Sequence, residues 1–182
     1  MKIFLTLLLS LFSQATEPYR HQLDLVAMLQ DRQALQKLTI LYDSPTQYGF
    51  KLLFVHGDGS LVLQTYPGRP TATSDSPTCK ERVDEARVKE VVALITSKHF
   101  WQLPEKRFLF VNGIPSHAEF EVHRIFISNG IERAVRVFGV GTYAGKTEAI
   151  PDDFSAIELH LQKLAESAFS NKPCHLAPPE QF

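Results

Sequence analysis

The amino-acid sequence predicts an α+β fold: a two-layer antiparallel sheet with two helices on one face, in the order ββα–ββα, preceded by a short helix and one strand. Three observations carry this. Two pairs of apolar runs are joined by Gly57-Asp58-Gly59 and by Asn129-Gly130, and Asp-Gly or Asn-Gly between such runs marks a hairpin because the turn needs positive φ. Each pair is followed by a stretch whose apolar residues recur three and four apart, the period of an amphipathic helix. No composition break divides the 182 residues, which suit one domain, and a sheet with one apolar face needs helices to cover it.

Residues 1–15 read as a signal peptide: Lys2 gives a positive start, Ile3 to Phe12 are apolar, and Ser13-Gln14-Ala15 supplies small residues for cleavage. An apolar run of about ten residues is too short to span a bilayer, which takes about 20. Residues 16–36 form a helical segment, with Leu23, Val26, Met28 and Leu29 at helical spacing over Tyr19 to Gln36. The main domain covers 37–170. Lys37 to Asp43 alternates Leu38, Ile40 and Tyr42 as a strand, which Ser44-Pro45-Thr46 should break. Gly49 to His56 and Ser60 to Tyr66 make the first hairpin, and Pro67 to Pro77 a polar loop. Val88, Val91, Val92 and Ile95 mark a helix from about Asp84 to Lys98, and His99 to Pro104 an apolar cap over the core.

Ala118 to Ser128 and Ile131 to Gly139 form the second hairpin. A two-residue Asn129-Gly130 turn would set Phe126 against Arg133, Val122 against Val137 and His123 against Arg136. Phe120, Val122, Val135 and Val137 then face the helices, and Glu119, Glu121, His123 and Arg136 the solvent. The last helix opens near Asp152 as N-cap and aligns Phe154, Ile157, Leu161, Leu164 and Ala168. Residues 171–182, with Pro173, Pro178 and Pro179, read as an irregular tail.

Charge excludes some functions. The chain has 19 Lys and Arg against 20 Asp and Glu, and loss of the leader removes only Lys2. That balance argues against a general nucleic-acid binder, which shows a basic face. No second long apolar segment exists, so no membrane span is expected. Two cysteines, Cys79 and Cys174, are a candidate disulfide in an oxidising compartment, with two free thiols as the alternative. There is no Cys-x-x-Cys redox pair.

Gly139-Val140-Gly141-Thr142-Tyr143-Ala144-Gly145-Lys146-Thr147 resembles a phosphate loop, but that motif needs glycine where Val140 stands. A dinucleotide signature would need a strand before it and a helix directly after, and Pro151 delays the helix. The segment therefore reads as a glycine loop leading from sheet to helix, and Gly139, Gly141, Tyr143 and Gly145 are candidate ligand-contact residues. His117, Glu119, Glu121 and His123 alternate, so an unbroken strand would put them on one face. His117, Glu119 and His123 are thus candidate metal ligands, although strand neighbours about 6.8 Å apart need a third ligand from elsewhere. The alternative is a wet face with cross-strand charge pairs. No Gly-x-Ser-x-Gly elbow is present, so no catalytic residue is assigned and no cofactor is expected. Tyr42, Tyr48, Tyr66, Trp101, Phe108 and Phe110 either pack the core or line an apolar groove.

Gly57-Asp58-Gly59 between strands, a helix closing on Phe100-Trp101-Gln102-Leu103-Pro104, then a hairpin and a final helix resemble a family of uncharacterised exported bacterial domains, over about Lys37 to Ala168. A cysteine pair usual in that family before the first hairpin is absent from Ser44-Pro45-Thr46-Gln47-Tyr48. The resemblance implies a fold and no activity. Together these features lead to the expectation of a periplasmic or secreted, non-enzymatic module that binds a protein, peptide or envelope ligand. The alternative is a metal-assisted hydrolase using the 117–123 strand.

Overall fold

The computed structural model describes residues 24–46, 49–67, 75–103, 106–109, 119–128, 132–140 and 152–180. The leader, Tyr48, Phe110, His117, Asn129-Gly130 and Pro151 lie outside them.

Among the described residues two helical segments come first, α1 (24–28) and α2 (Arg32–Leu35). The expected continuous helix is interrupted at Asp31, whose carboxylate accepts from the backbone N–H groups of Gln33 (2.8 Å) and Ala34 (3.2 Å) and so starts α2 afresh. The buried side chains are Leu25, Met28 and Leu35, while Val26 of the expected stripe is exposed. Four strands follow: β1 (Thr39–Thr46), β2 (Gly49–His56), β3 (Ser60–Tyr66) and β4 (Ser76–Arg82). Next come α3 (Glu85–Ser97), a 3₁₀ turn (Phe100–Gln102), β5 (Lys106–Leu109), β6 (Glu119–Ser128) and β7 (Glu132–Val140). The long helix α4 (Asp152–Phe169) and a last strand, β8 (His175–Ala177), complete the order.

Among the described residues the strands form one sheet in the order β5-β7-β6-β1-β2-β3-β4-β8. Every neighbouring pair is antiparallel except β5 with β7, which is parallel. The α+β class therefore holds, with three strands beyond the expected layout. β4 occupies part of the stretch read as loop, and its Ser-Pro-Thr-Cys-Lys-Glu-Arg sequence lacks an apolar alternation because its place is fixed by pairing with β3. β8 lies in the tail that was expected to be irregular. β1 continues through Ser44-Pro45-Thr46 instead of breaking. Its pairing with β6 stops at Asp43, so Pro45 needs to serve only β2, and a proline is tolerated where one side of the strand is unpaired.

The first hairpin turns through three residues. Gly59 N–H donates to the His56 carbonyl (3.0 Å), and Gly59 takes φ +91°. Gly57 is glycine for a different reason: a Cβ there would collide with the Leu35 carbonyl, because the turn lies directly against the end of α2. Gly57 N–H donates to the Leu38 carbonyl (2.8 Å), which fastens that contact.

The second hairpin differs from its expected register. Ser128 pairs with Glu132, Phe126 with Ala134 and Arg124 with Arg136, one step from a two-residue turn. The register then shifts between Glu121 and His123, so that Glu121 pairs with Phe138 and His123 with Val137. A bulge of this kind interrupts side-chain alternation.

One apolar cluster joins helix and sheet. It contains Leu25, Met28 and Leu35 from the first helices, Val88, Val91, Val92 and Ile95 of α3, and Phe154, Ile157, Leu161 and Leu164 of α4. From the strands it takes Ile40, Tyr42, Leu53, Val55, Leu61, Ile125, Ile127 and Val135, and Phe100 and Trp101 join from the 3₁₀ turn, as the apolar cap required. Asp84 caps α3 by accepting from Arg87 N–H (2.9 Å), and Lys98 at its end pairs with Asp153 at the start of α4 (3.2 Å). A second cluster, Leu41, Leu52, Phe54, Val62 and Tyr66, is made by the alternate residues of β1–β3. Tyr42 and Tyr66 thus belong to separate clusters, and with Trp101 in the core they line no common aromatic groove.

Cys79 and Cys174 form a disulfide, with Cα atoms 4.3 Å apart. Thr78 pairs with His175, so the bridge sits at the next step of the β4–β8 ladder. Closing a loop of 95 positions contributes about 4–5 kcal/mol through the unfolded chain. The double substitution Cys79→Ser, Cys174→Ser should therefore lower stability by up to about that amount, read by chemical denaturation without reductant. Gly57→Ala should cost about 2–3 kcal/mol by forcing the turn away from Leu35, and an unchanged denaturation midpoint would refute that packing.

Candidate functional site

Two of the three residues expected to bind a metal fall within the described strands. Glu119 and His123 lie on β6, on either side of its register shift, and His117 is outside the described residues. The unbroken alternation that grouped them does not run through this stretch. Among the described residues no group of three or more His, Cys, Asp or Glu is placed to hold a metal ion. Gly139 is in β7, paired with Phe120 and Leu109, rather than in a loop. Gly141, Tyr143 and Gly145 lie outside the described residues.

A different constellation lies at the seam between α4 and the sheet. Glu158 sits in the apolar stripe of α4 and is buried. A carboxylate in that position is costly unless it is hydrogen-bonded. Tyr42, on the facing surface of β1, donates its phenolic hydroxyl to Glu158 Oε1 at 2.7 Å. One turn further along α4, Gln162 Nε2 donates to the same phenolic oxygen at 2.8 Å. The tyrosine therefore donates to Glu158 and accepts from Gln162, and its orientation is fixed by two groups four residues apart on one helix face. Burial pushes the Tyr42 pKa well above the ordinary tyrosine value, and the adjoining Glu158 carboxylate pushes it the same way; hydrogen bonds from Ser44 and Gln162 oppose them. The phenol stays protonated at physiological pH, so it serves as a donor and not as a base or nucleophile.

This seam opens into a cleft of about 510 Å³. Leu53, Leu63, Ala165 and Phe169 give it apolar walls, Tyr42, Ser44 and Gln162 a polar arc, and Lys51 and Glu166 one charge of each sign. Its size and its few convergent polar groups are those of a small-molecule or peptide-side-chain site. The helix spacing of Gln162, Glu166 and Phe169 and the strand spacing of Tyr42 and Ser44 bring these groups together. Sequence reasoning placed Tyr42 among possible groove aromatics but missed Glu158, Gln162 and Lys51. The available signal was a glutamate inside the Phe154–Leu164 apolar stripe, with a glutamine four residues later.

The chain matches no protein-family model and no curated protein. Among the described residues no helix is long and apolar enough to cross a membrane.

Tyr42→Phe removes a donor from a buried carboxylate and should cost about 1–3 kcal/mol. Its pH signature has a definite sign. The unfolded phenol loses its proton near pH 10 while the folded one retains it. The contribution is thus complete below about pH 10 and is lost as pH rises through the folded value. Stability of the wild-type protein should fall over that alkaline range more steeply than that of Tyr42→Phe, measured by urea denaturation at successive pH values.

Proposed function

We propose that this protein is an exported binding module, periplasmic or secreted, that holds a small ligand or a peptide side chain in the cleft between α4 and strands β1–β3. The observation that carries the reading is the cleft itself: apolar walls beside a polar arc whose tyrosine is pre-oriented by Glu158 and Gln162. A preorganised polar arc of this sort favours binding because little ordering remains to be done when a ligand arrives. The Tyr42 proton is committed to Glu158, so the phenol holds Gln162 in place; the second amide hydrogen of Gln162 and the Ser44 hydroxyl recognise a ligand by hydrogen bonding, and the opposed Lys51 and Glu166 fit a molecule carrying both signs of charge or none.

Export rests on the leader-like residues 1–15 and on the disulfide, which persists in oxidising compartments. In this reading the sheet and helices form two layers with α3 and α4 on one face, and the single cluster they share with β1–β3 supports that arrangement. The resemblance to exported bacterial domains over Lys37 to Ala168 adds the same expectation. The segment of Gly141, Tyr143 and Gly145 that follows β7 is a further contact region in this proposal.

The test is an amide-resonance titration of the mature protein with mixed zwitterionic tripeptides and with short-chain uncharged amides. Binding should move the resonances of Ser44, Lys51, Gln162 and Glu166 together. Lys51→Ala should weaken that binding about tenfold with melting temperature nearly unchanged, and Gln162→Ala should weaken it similarly with an added stability loss of about 1 kcal/mol from its bond to Tyr42. Saturable binding that leaves these four residues unmoved, or no binding by either class, would contradict the proposal.

A further inference from the structure

The C-terminal tail after α4 is held against β4 and the sheet by contacts that resemble ligand recognition more than chain termination. β8 is only three residues long, and Leu176 in its middle is 73% exposed, so hydrophobic burial is not what seats it. Its seat is polar. Gln64 of β3 is buried, and its side-chain amide is fully used: Nε2 donates to Thr78 Oγ1 and to the Pro178 carbonyl (each 3.0 Å). Its Oε1 accepts from the Tyr66 hydroxyl and from Glu180 N–H (each 3.0 Å). Pro178 and Pro179 have no N–H to offer, so Glu180 supplies the first backbone donor beyond β8, and Gln64 takes it. The buried amide therefore reads an extended segment as a neighbouring strand would, one carbonyl and one N–H. The Glu180 carboxylate then lies 3.5 Å from Lys80 Nζ and 4.0 Å from His56 Nε2. Glu180 also forms part of the wall of a groove of about 660 Å³, with His56, Asp58, Lys80 and Arg82.

We infer that the β4 edge, Gln64 and the Lys80–His56 pair form a peptide-binding site that the chain's own tail occupies in cis, and that an extended peptide takes the same site in trans once the tail is released. The peptide adds as a strand antiparallel to β4, continues through prolines, and carries a carboxylate three residues after its last strand residue, as Glu180 follows Ala177. Charge complementarity fixes that last feature: the site offers a lysine and a histidine to an acid. The Cys79–Cys174 bridge is what keeps the tail seated. Tethering raises the tail's local concentration to the order of millimolar, which shuts out a free peptide. A dithiol opens the bridge by exchange: the S–S bond breaks, Cys79 and Cys174 each receive a proton and become thiols, and the dithiol is oxidised to its own disulfide. Cys174 is exposed, so the attacking thiolate reaches that sulfur from solvent. This site lies outside the α4 cleft, and neither reading depends on the other.

The test uses full-length protein carrying Cys174→Ser, Ala177→Pro and Glu180→Ala, in which the tail loses its bridge, its β8 pairing and its carboxylate. A fluorescent peptide of the native sequence from His175 to Glu180 should bind this variant saturably, at least tenfold tighter than it binds the oxidised wild type. The same peptide with glutamine in place of its glutamate should bind several-fold more weakly. A variant that melts cooperatively yet binds neither peptide, or binds both equally, overturns the inference. A second measurement on unaltered protein stands independently of that variant's folding. Adding a dithiol should bring amide exchange at Ala177 and Glu180 close to free-chain rates while α3 and α4 stay protected, faster than in the bridged protein only by as much as global stability falls. No change at the tail, or loss of protection throughout the sheet, would equally overturn it.

Discussion

The structure turns on one buried contact, the hydrogen bond from Tyr42 to Glu158. α4 is long enough to cover the central strands, and its stripe of Phe154, Ile157, Leu161 and Leu164 supplies the apolar part of that covering. Glu158 falls inside the stripe, so the helix docks only if its carboxylate is satisfied there. Tyr42 satisfies it from β1, which fixes how far along the sheet α4 can sit. Gln162, one turn on, uses the same oxygen and carries the polar line to the open end of the seam. Tyr42 and Gln162 also line the cleft, beside apolar Leu53, Leu63, Ala165 and Phe169 of β2, β3 and α4.

The sheet's edges are managed by different means. At one end β5 adds in parallel to β7, after the 3₁₀ turn that buries Phe100 and Trp101. Arg133 of β7 donates to the Leu103 carbonyl at 2.6 Å and so fastens that turn to the sheet. At the other end β4 would present an unpaired edge if the tail did not cover it, and exposed edges invite pairing with other chains. Covering by three residues is weak on its own. The disulfide, Gln64, and the pair between Lys172 and Glu81 at 3.0 Å together hold the tail. A covering held by polar contacts and one covalent bond draws little on hydrophobic burial, with Cys79 its one anchor in the core cluster, which is what suits this edge to reversible exchange.

Legibility in the sequence followed the length scale of the interaction. α3 was readable because its signals are local: Asp84 caps it and its valines repeat at helical spacing. The first hairpin was readable from its Gly-Asp-Gly turn, though not the close approach of Gly57 to Leu35, which depends on where α2 ends. The bridge was readable because two cysteines allow one intramolecular pairing. The missed strands, β4, β5 and β8, are short or polar and exist through pairing with partners distant in sequence, so no periodicity announces them. The β6 bulge was invisible for the same reason, since alternation in sequence continues through Glu121 and His123 while the register does not. Glu158 and Gln64 look like ordinary surface residues in the sequence, because their burial comes from partners more than a hundred positions away.

The central claim is that Tyr42 and Glu158 act as one unit in docking α4. A double-mutant cycle with Tyr42→Phe, Glu158→Gln and both together measures this most directly, by urea denaturation at neutral pH. A coupling energy of about 1–3 kcal/mol is the predicted result. Additive costs, with coupling below about 0.3 kcal/mol, would show that the two side chains contribute separately and that the helix is positioned by apolar packing alone.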